Sequence, residues 1–137
     1  MNEIGIRGLK NLDLAFILST WLESYRKSPF AHRIKNSVFF PHHRKIAEHL
    51  LAKCITRVAH LPDEEDVILG YICAEPPKTV HYIFVKDPWR NMHIAKRLLE
   101  DMGFNKSQGF QFTHWTKPFD ETFEIDQVKL VYNPYAL

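Results

Sequence analysis

Cysteine is scarce in this chain: Cys54 and Cys73 are the only two, with no CxxC spacing between them. Both sit inside apolar runs, which points to buried thiols in a reducing compartment and away from a disulfide scaffold or a metal site. Charge of one sign is also lacking. A formal net charge of +2 is too small to announce a nucleic-acid binder, so partners have to be read from sites. No window holds the ~18 consecutive apolar residues of a membrane span. The opening MNEIGIRGLKNLD has neither a basic n-region nor an apolar h-region, so the expectation is a soluble, cytoplasmic protein without a membrane partner. No internal repeat or low-complexity linker divides the 137 residues, which read as one domain spanning 1–137 and able to bury roughly 70% of its unfolded surface.

What the chain does have is periodicity. Residues 3–9 read as a short strand. Asn11 and Asp13 offer caps to a helix with Leu14, Ile17, Leu18, Trp21, Leu22 and Tyr25 on its apolar face, stopped at Ser28-Pro29. After the basic stretch HRIKNS, residues 41–53 read as a second helix opened by Pro41. The period then changes. CITRVAHL and VILGYICAE, joined by the acidic turn PDEED, give a hairpin, and TVHYIFV follows as a third strand. A helix spans about 92–102, with Gly103 as its stop. GFQFTHWT and DQVKLVYN supply two more strands around the short connection KPFDETFEI. Such an order favours helices on both faces of a mixed, mostly antiparallel sheet, a three-layer α/β/α arrangement.

The turn joining the third strand to the helix after it carries chemistry. A helix starting near Asn91 or Met92 leaves backbone N–H groups unpaired at its positive end, which suits a pyrophosphate, and Arg90, Lys96 and Arg97 add charge there. Residues Val85-Lys-Asp-Pro-Trp-Arg90-Asn-Met-His93-Ile-Ala95 fit the spacing Val-x-x-x-x-[Gln/Arg]-x-x-Gly-x-[Gly/Ala]. On that motif, the preceding ILGYICAE and the element order, the chain resembles the GCN5-related N-acetyltransferase superfamily. His93 departs from it, standing where the superfamily usually has Gly. WLESYRKSP and FTHWTKP further resemble segments of small acetyltransferase-like proteins of tailed bacteriophages, which implies a host bacterial cytoplasm.

The resemblance implies acetyl-CoA as co-substrate, held by Ile83, Phe84, Val85, Lys86, Arg90, Asn91, Met92, His93, Ile94, Ala95, Lys96 and Thr113. It also implies direct acetyl transfer to an amine in a ternary complex. Strand alternation places His81, Ile83 and Val85 on one face, and His81, four residues before the motif Val, resembles the catalytic His of arylalkylamine-type acetyltransferases. His114 is a second candidate acid or base, or else a purely structural histidine. The superfamily's Asn-x-x-Ala-x-x-x-Tyr pattern is absent, which leaves Tyr132, or Tyr135, to replace its general acid.

The remaining features read more plainly. His42, His43 and His49 lack ligand spacing and read as a solvated basic helix face, so no metal is expected. Trp21, Tyr25 and Phe30 are either core or an acceptor pocket. The acceptor stays open: an amine on a small molecule, a protein or a modified nucleotide, with the protein a monomer or homodimer. Two alternatives stand beside transfer: a non-catalytic CoA-binding or host-interaction module, and a nucleic-acid-binding or nucleic-acid-modifying protein using Arg33, Lys35, Arg44 and Lys45.

Overall fold

The computed structural model of the protein describes residues 4–90, 92–105, 108–115 and 130–137. Six strands form one sheet in sequence order: β1 (Gly5–Gly8), β2 (Ile55–Leu61), β3 (Glu64–Glu75), β4 (Thr79–Val85), β5 (Phe110–Phe112) and β6 (Leu130–Tyr132). The first four pair antiparallel, while β4, β5 and β6 run parallel. Helices α1 (Leu14–Arg26) and α2 (Asn36–Lys53) lie between β1 and β2 in the chain, and α3 (Ile94–Asp101) follows β4.

Two apolar cores give the expected layering. Ile17, Trp21, Leu22 and Tyr25 of α1 and Phe39, Ala47 and Leu50 of α2 pack on Val58, Tyr71, Cys73 and Tyr82. On the opposite face Ile94, Leu98 and Leu99 of α3 pack on Leu69, Ile72, Ile83 and Val85. The period of three and four in each helix supplies one stripe, and the sheet, apolar on both sides at β3 and β4, supplies both partners. Gly70 lets β3 come close to β4, since a Cβ there would lie 2.5 Å from the Phe84 carbonyl oxygen.

Several boundaries differ from the sequence reading. Helix α2 starts at Asn36 and holds Pro41 inside, because a proline removes only its own N–H bond and the flanking residues continue the helix. Helix α3 starts at Ile94 because His93 has left-handed backbone, φ 60°, which interrupts the helix before it. Strand β5 ends at Phe112, leaving Thr113 and His114 just beyond it. The connection 117–125 and the first half of the expected strand 126–133 lie outside the described residues; Leu130–Tyr132 of the latter is strand.

A buried ion pair fastens β1 to the start of α1. Arg7 donates from Nη1 to Asp13 Oδ2 (2.8 Å) and from Nη2 to Oδ1 (3.0 Å), and the Lys10 amide donates to the same carboxylate (2.7 Å). Burial pushes the Asp13 carboxyl up, but Arg7 and the Lys10 amide outweigh it and hold it below its ordinary value. Its contribution is therefore complete above about pH 4 and is lost as pH falls through the lowered value. Removing the carboxylate strands Arg7, so Asp13→Ala is expected to lower unfolding free energy by about 3 kcal/mol at pH 7, measured by urea denaturation.

Candidate functional site

The site begins where the sheet divides. Strands β4 and β5 are in register only at Thr79 with Gln111 and Val80 with Phe112, closed by a Thr113 N–H donated to the Val80 carbonyl (3.1 Å). From there β4 runs on to Val85 against β3 alone. The register with β3 shows the cause. Cys73 faces Tyr82 and Ala74 faces Val80, so His81 is an extra residue, a β-bulge. Simple alternation had grouped His81 with Ile83 and Val85. The bulge overturns that: Ile83 and Val85 enter the α3-side core, while every partner of His81 lies toward α2.

Those partners form a continuous chain of hydrogen bonds. Glu75 Oε2 lies 3.3 Å from His81 Nε2, and His81 Nδ1 is 3.1 Å from Thr113 Oγ1. Thr113 Oγ1 is 2.8 Å from His114 Nδ1, and His114 Nε2 is 2.9 Å from His43 Nε2. At the far end Lys53 Nζ is 3.4 Å from Glu75 Oε1. The three rings and Thr113 are buried, whereas the Glu75 side chain is 39% exposed. Aromatic rings enclose the inner end: His43 stacks on Phe39, and His114 meets Tyr25, Trp21 and Tyr82 edge-on or tilted.

Burial sets the charge of this chain. It pulls His43 down to about 4. Burial lowers His114 strongly, with His43 and His81 adding to it, and lowers His81 against the opposing effect of its hydrogen bond to Glu75. Burial would raise Glu75, but His81 and Lys53 outweigh it and hold the carboxyl low. Near neutral pH, then, three neutral imidazoles end on one carboxylate.

The turn after β4 is a tight 3-10 turn, Asp87–Trp89. Arg90 folds back over it, donating from Nε to the Val85 carbonyl (3.1 Å) and pairing with Asp87 (2.6 Å). Lys86 places its ammonium 5.1 Å from the Phe16 ring centre, and Phe84 lies half-buried in the same aromatic group. Met92 and Lys96 are exposed; Ile94 and Ala95 are buried, so that they, like Ile83 and Val85, could offer a ligand only backbone groups. The first helical bond of α3 runs from the Arg97 amide to the His93 carbonyl, so the amides of residues 94–96 have no acceptor within the helix. Asn91 lies outside the described residues.

Of the expected site residues, the fold brings His81, Thr113 and His114 together. Tyr132 packs on Phe112 and Trp115, and its hydroxyl is close enough to help burial raise Tyr25. Tyr135 is exposed. Trp21 and Tyr25 are core, with the exposed Phe30 stacked on Tyr25. His42 and His49 are solvated as expected, but His43 is not: it continues the buried stripe Phe39, His43, Ala47, Leu50, a spacing visible in the sequence. Glu75 was also missed, although it continues the buried alternation Tyr71, Cys73 along β3. Cys54, Glu75 and His81 bring three donor atoms within 4.8 Å of one another, a grouping that separations of 21 and 6 residues could not announce. Lys53 and His81 already occupy the oxygens of that carboxylate. On the α3 side a groove of about 480 Å³ runs past Lys96, Leu99, Gly103, Phe104 and Phe110, away from the histidines.

No family model matches the chain, and no curated protein does. Solved structures do. A proposed acetyl transferase from Pyrococcus furiosus superposes with a TM-score of 0.55 at 22% identity, over 73% of this chain and 72% of that one. The apo form of YjaB from Escherichia coli gives 0.53 at 16%, over 73% and 64%. A GCN5-related N-acetyltransferase from Rhodopseudomonas palustris gives 0.51 at 14%, over 74% and 64%. The chain spans less than two thirds of the length of the last two. At these identities the likeness establishes the fold, which is that of the GCN5-related N-acetyltransferases. Among the described residues no helix is long and apolar enough to cross a membrane.

Three buried neutral histidines are expected to make the protein acid-sensitive. Between the ordinary imidazole value and the lowered folded value the unfolded chain binds more protons, so stability falls as pH drops from 6.5 and the loss saturates below about 4 for His43. His43 alone accounts for up to about 3 kcal/mol. Replacing it by Phe, a ring of similar shape, is expected to flatten the fall in thermal midpoint between pH 7 and 4.5 and to leave the rest of the profile in place.

Proposed function

We propose that the protein is an acetyl-CoA-dependent N-acyltransferase that moves an acetyl group to an amine by direct transfer in a ternary complex. The observation that carries this reading is the forked sheet with a buried histidine pair, His81 and His114, at its base. When bound, acetyl-CoA would supply the acyl group as an activated thioester. The residues present fit that co-substrate. His93 adopts the left-handed conformation that a glycine would take at the motif position, so the turn keeps the expected backbone course despite the side chain. Backbone amides at the start of α3 and the exposed Lys96 are available to a pyrophosphate. The open edge of β4 beyond Val80 offers backbone donors for the thioester oxygen. Thr113 orients both rings, and the histidines hold or move the proton of the acceptor nitrogen.

The burial of His81 favours one other reading, a CoA-binding module without turnover, because a sealed ring does not itself meet an acceptor. Two measurements separate them. Acetyl-CoA at a hundredfold its Kd is expected to stabilise the protein by about 2.7 kcal/mol, read as a rise in thermal midpoint. Thioester consumption across small amines, peptides and modified nucleotides then reports transfer. No stabilisation at saturation sinks both readings, whereas stabilisation without consumption leaves the module.

His93 supplies a second check. Left-handed backbone costs a non-glycine residue about 1 kcal/mol, so His93→Gly is expected to leave stability equal or slightly higher and to tighten acetyl-CoA binding, measured by calorimetry. Weaker binding by the glycine variant would assign the imidazole itself a role in holding the ligand.

A further inference from the structure

We infer that Glu75, at the surface end of the buried hydrogen-bond chain, fixes its direction, so that His43 Nδ1 is the basic atom offered to the acceptor and Glu75 the place where its proton is held. This rests on the acyl-transfer reading.

The direction follows from donor accounting. A carboxylate only accepts, so a neutral His81 must carry its proton on Nε2, facing Glu75. Its bare Nδ1 then needs a donor, and the Thr113 hydroxyl is the one beside it. With that proton committed, Thr113 Oγ1 accepts from His114 Nδ1–H. The bare His114 Nε2 accepts in turn from His43 Nε2–H. The Thr113 hydroxyl also lies 3.4 Å from the His81 carbonyl, but whichever of the two takes its proton, Oγ1 accepts from His114 Nδ1–H, and His43 Nδ1 is left bare. Among the described residues that nitrogen has no hydrogen-bond partner, and it is not one of their sealed unpartnered polar atoms, Trp21 Nε1 and Thr56 Oγ1. The chain thus has two ends: a bare nitrogen on the buried His43 ring, flanked by Tyr25 and Phe39, and a carboxylate at the surface beside Lys53 and Cys54.

Such a chain can lend and return one proton. The acceptor nitrogen's proton binds His43 Nδ1. The His43 Nε2 proton then passes to His114 Nε2, the His114 Nδ1 proton to Thr113 Oγ1, the hydroxyl proton to His81 Nδ1, and the His81 Nε2 proton to Glu75. One proton has entered, Glu75 is a neutral acid, and all four hydrogen bonds have reversed. As the C–N bond forms and the C–S bond breaks, the reverse passage returns a proton from His43 Nδ1 to the leaving sulfur and restores the starting direction. Base and acid are then one device, which accounts for a site without the superfamily's tyrosine pattern.

The test uses the full chain with ¹⁵N-labelled histidine. Ring ¹⁵N spectra report which nitrogen carries the proton in each imidazole, independently of any activity. Wild type is expected to show Nε2–H on His43 and His81 and Nδ1–H on His114, and Glu75→Gln, which can donate as well as accept, to lose that single set. In turnover, Glu75→Gln and His43→Phe are each expected to lower kcat by roughly 100-fold. KM for acetyl-CoA should stay within about twofold of wild type, and Glu75→Asp should recover part of kcat. Nδ1–H on His81 in wild type, or unchanged kcat in Glu75→Gln, overturns the inference while leaving acyl transfer standing. A wild-type protein that turns over no amine removes the acyl-transfer reading itself, and the proton path with it.

Discussion

Strands β4 and β5 hold together for only two residue pairs, and what separates them is the single extra residue His81. A bulge increases local twist and re-aims the side chains that follow it. Here it turns Ile83 and Val85 into the α3-side core and Tyr82 and Phe84 toward α1 and α2. The remainder of β4 can then stand without β5 because both of its faces are covered and β3 supplies its ladder, at a separation that Gly70 permits.

The same bulge places a polar residue where an apolar one would pack without cost. Burying an imidazole unpaired is expensive, and three lie within one cluster. The cost is offset because each ring nitrogen inside the chain has a partner, and because the chain ends on a carboxylate that reaches solvent. Partly satisfied, such a network would be worse than an apolar core; satisfied, it favours a single geometry of the rings. That exclusiveness separates this cluster from a set of core histidines that merely pack.

Much of the fold was legible from periodicity. The bounds of β4 and the end of α2 match the expected runs, and the layering follows from helix stripes meeting a sheet that is apolar on both sides. What could not be read were the interruptions. Nothing local in TVHYIFV marks His81 as a bulge, since a bulge is a relation between two strands, and alternation therefore assigned its face wrongly. Likewise the left-handed backbone at His93 belongs to the turn and carries no mark in side-chain periodicity. The candidate site was half legible: His81, Thr113 and His114 stood out by their place in the motif and the strand after it. His43 and Glu75 could have been found by following the apolar stripe of α2 and the buried alternation of β3 to the polar residue in each.

The electrostatics of the turn bear on how an anion could be held there. Arg90 spends its guanidinium on Asp87 and the Val85 carbonyl, Lys86 leans over Phe16, and Arg97 reaches the Ile4 carbonyl. The cations that made this segment look like an anion site are therefore largely engaged in shaping it. What remains for a pyrophosphate is the row of amides at the start of α3, aided by Lys96, and those amides are fixed by the backbone of His93. Recognition of that kind depends on conformation more than on side-chain charge. Under the proposed acetyl-CoA reading, the residue that departs from the superfamily pattern is the one on which binding would turn, because the turn keeps its course only so long as a histidine tolerates a glycine's backbone.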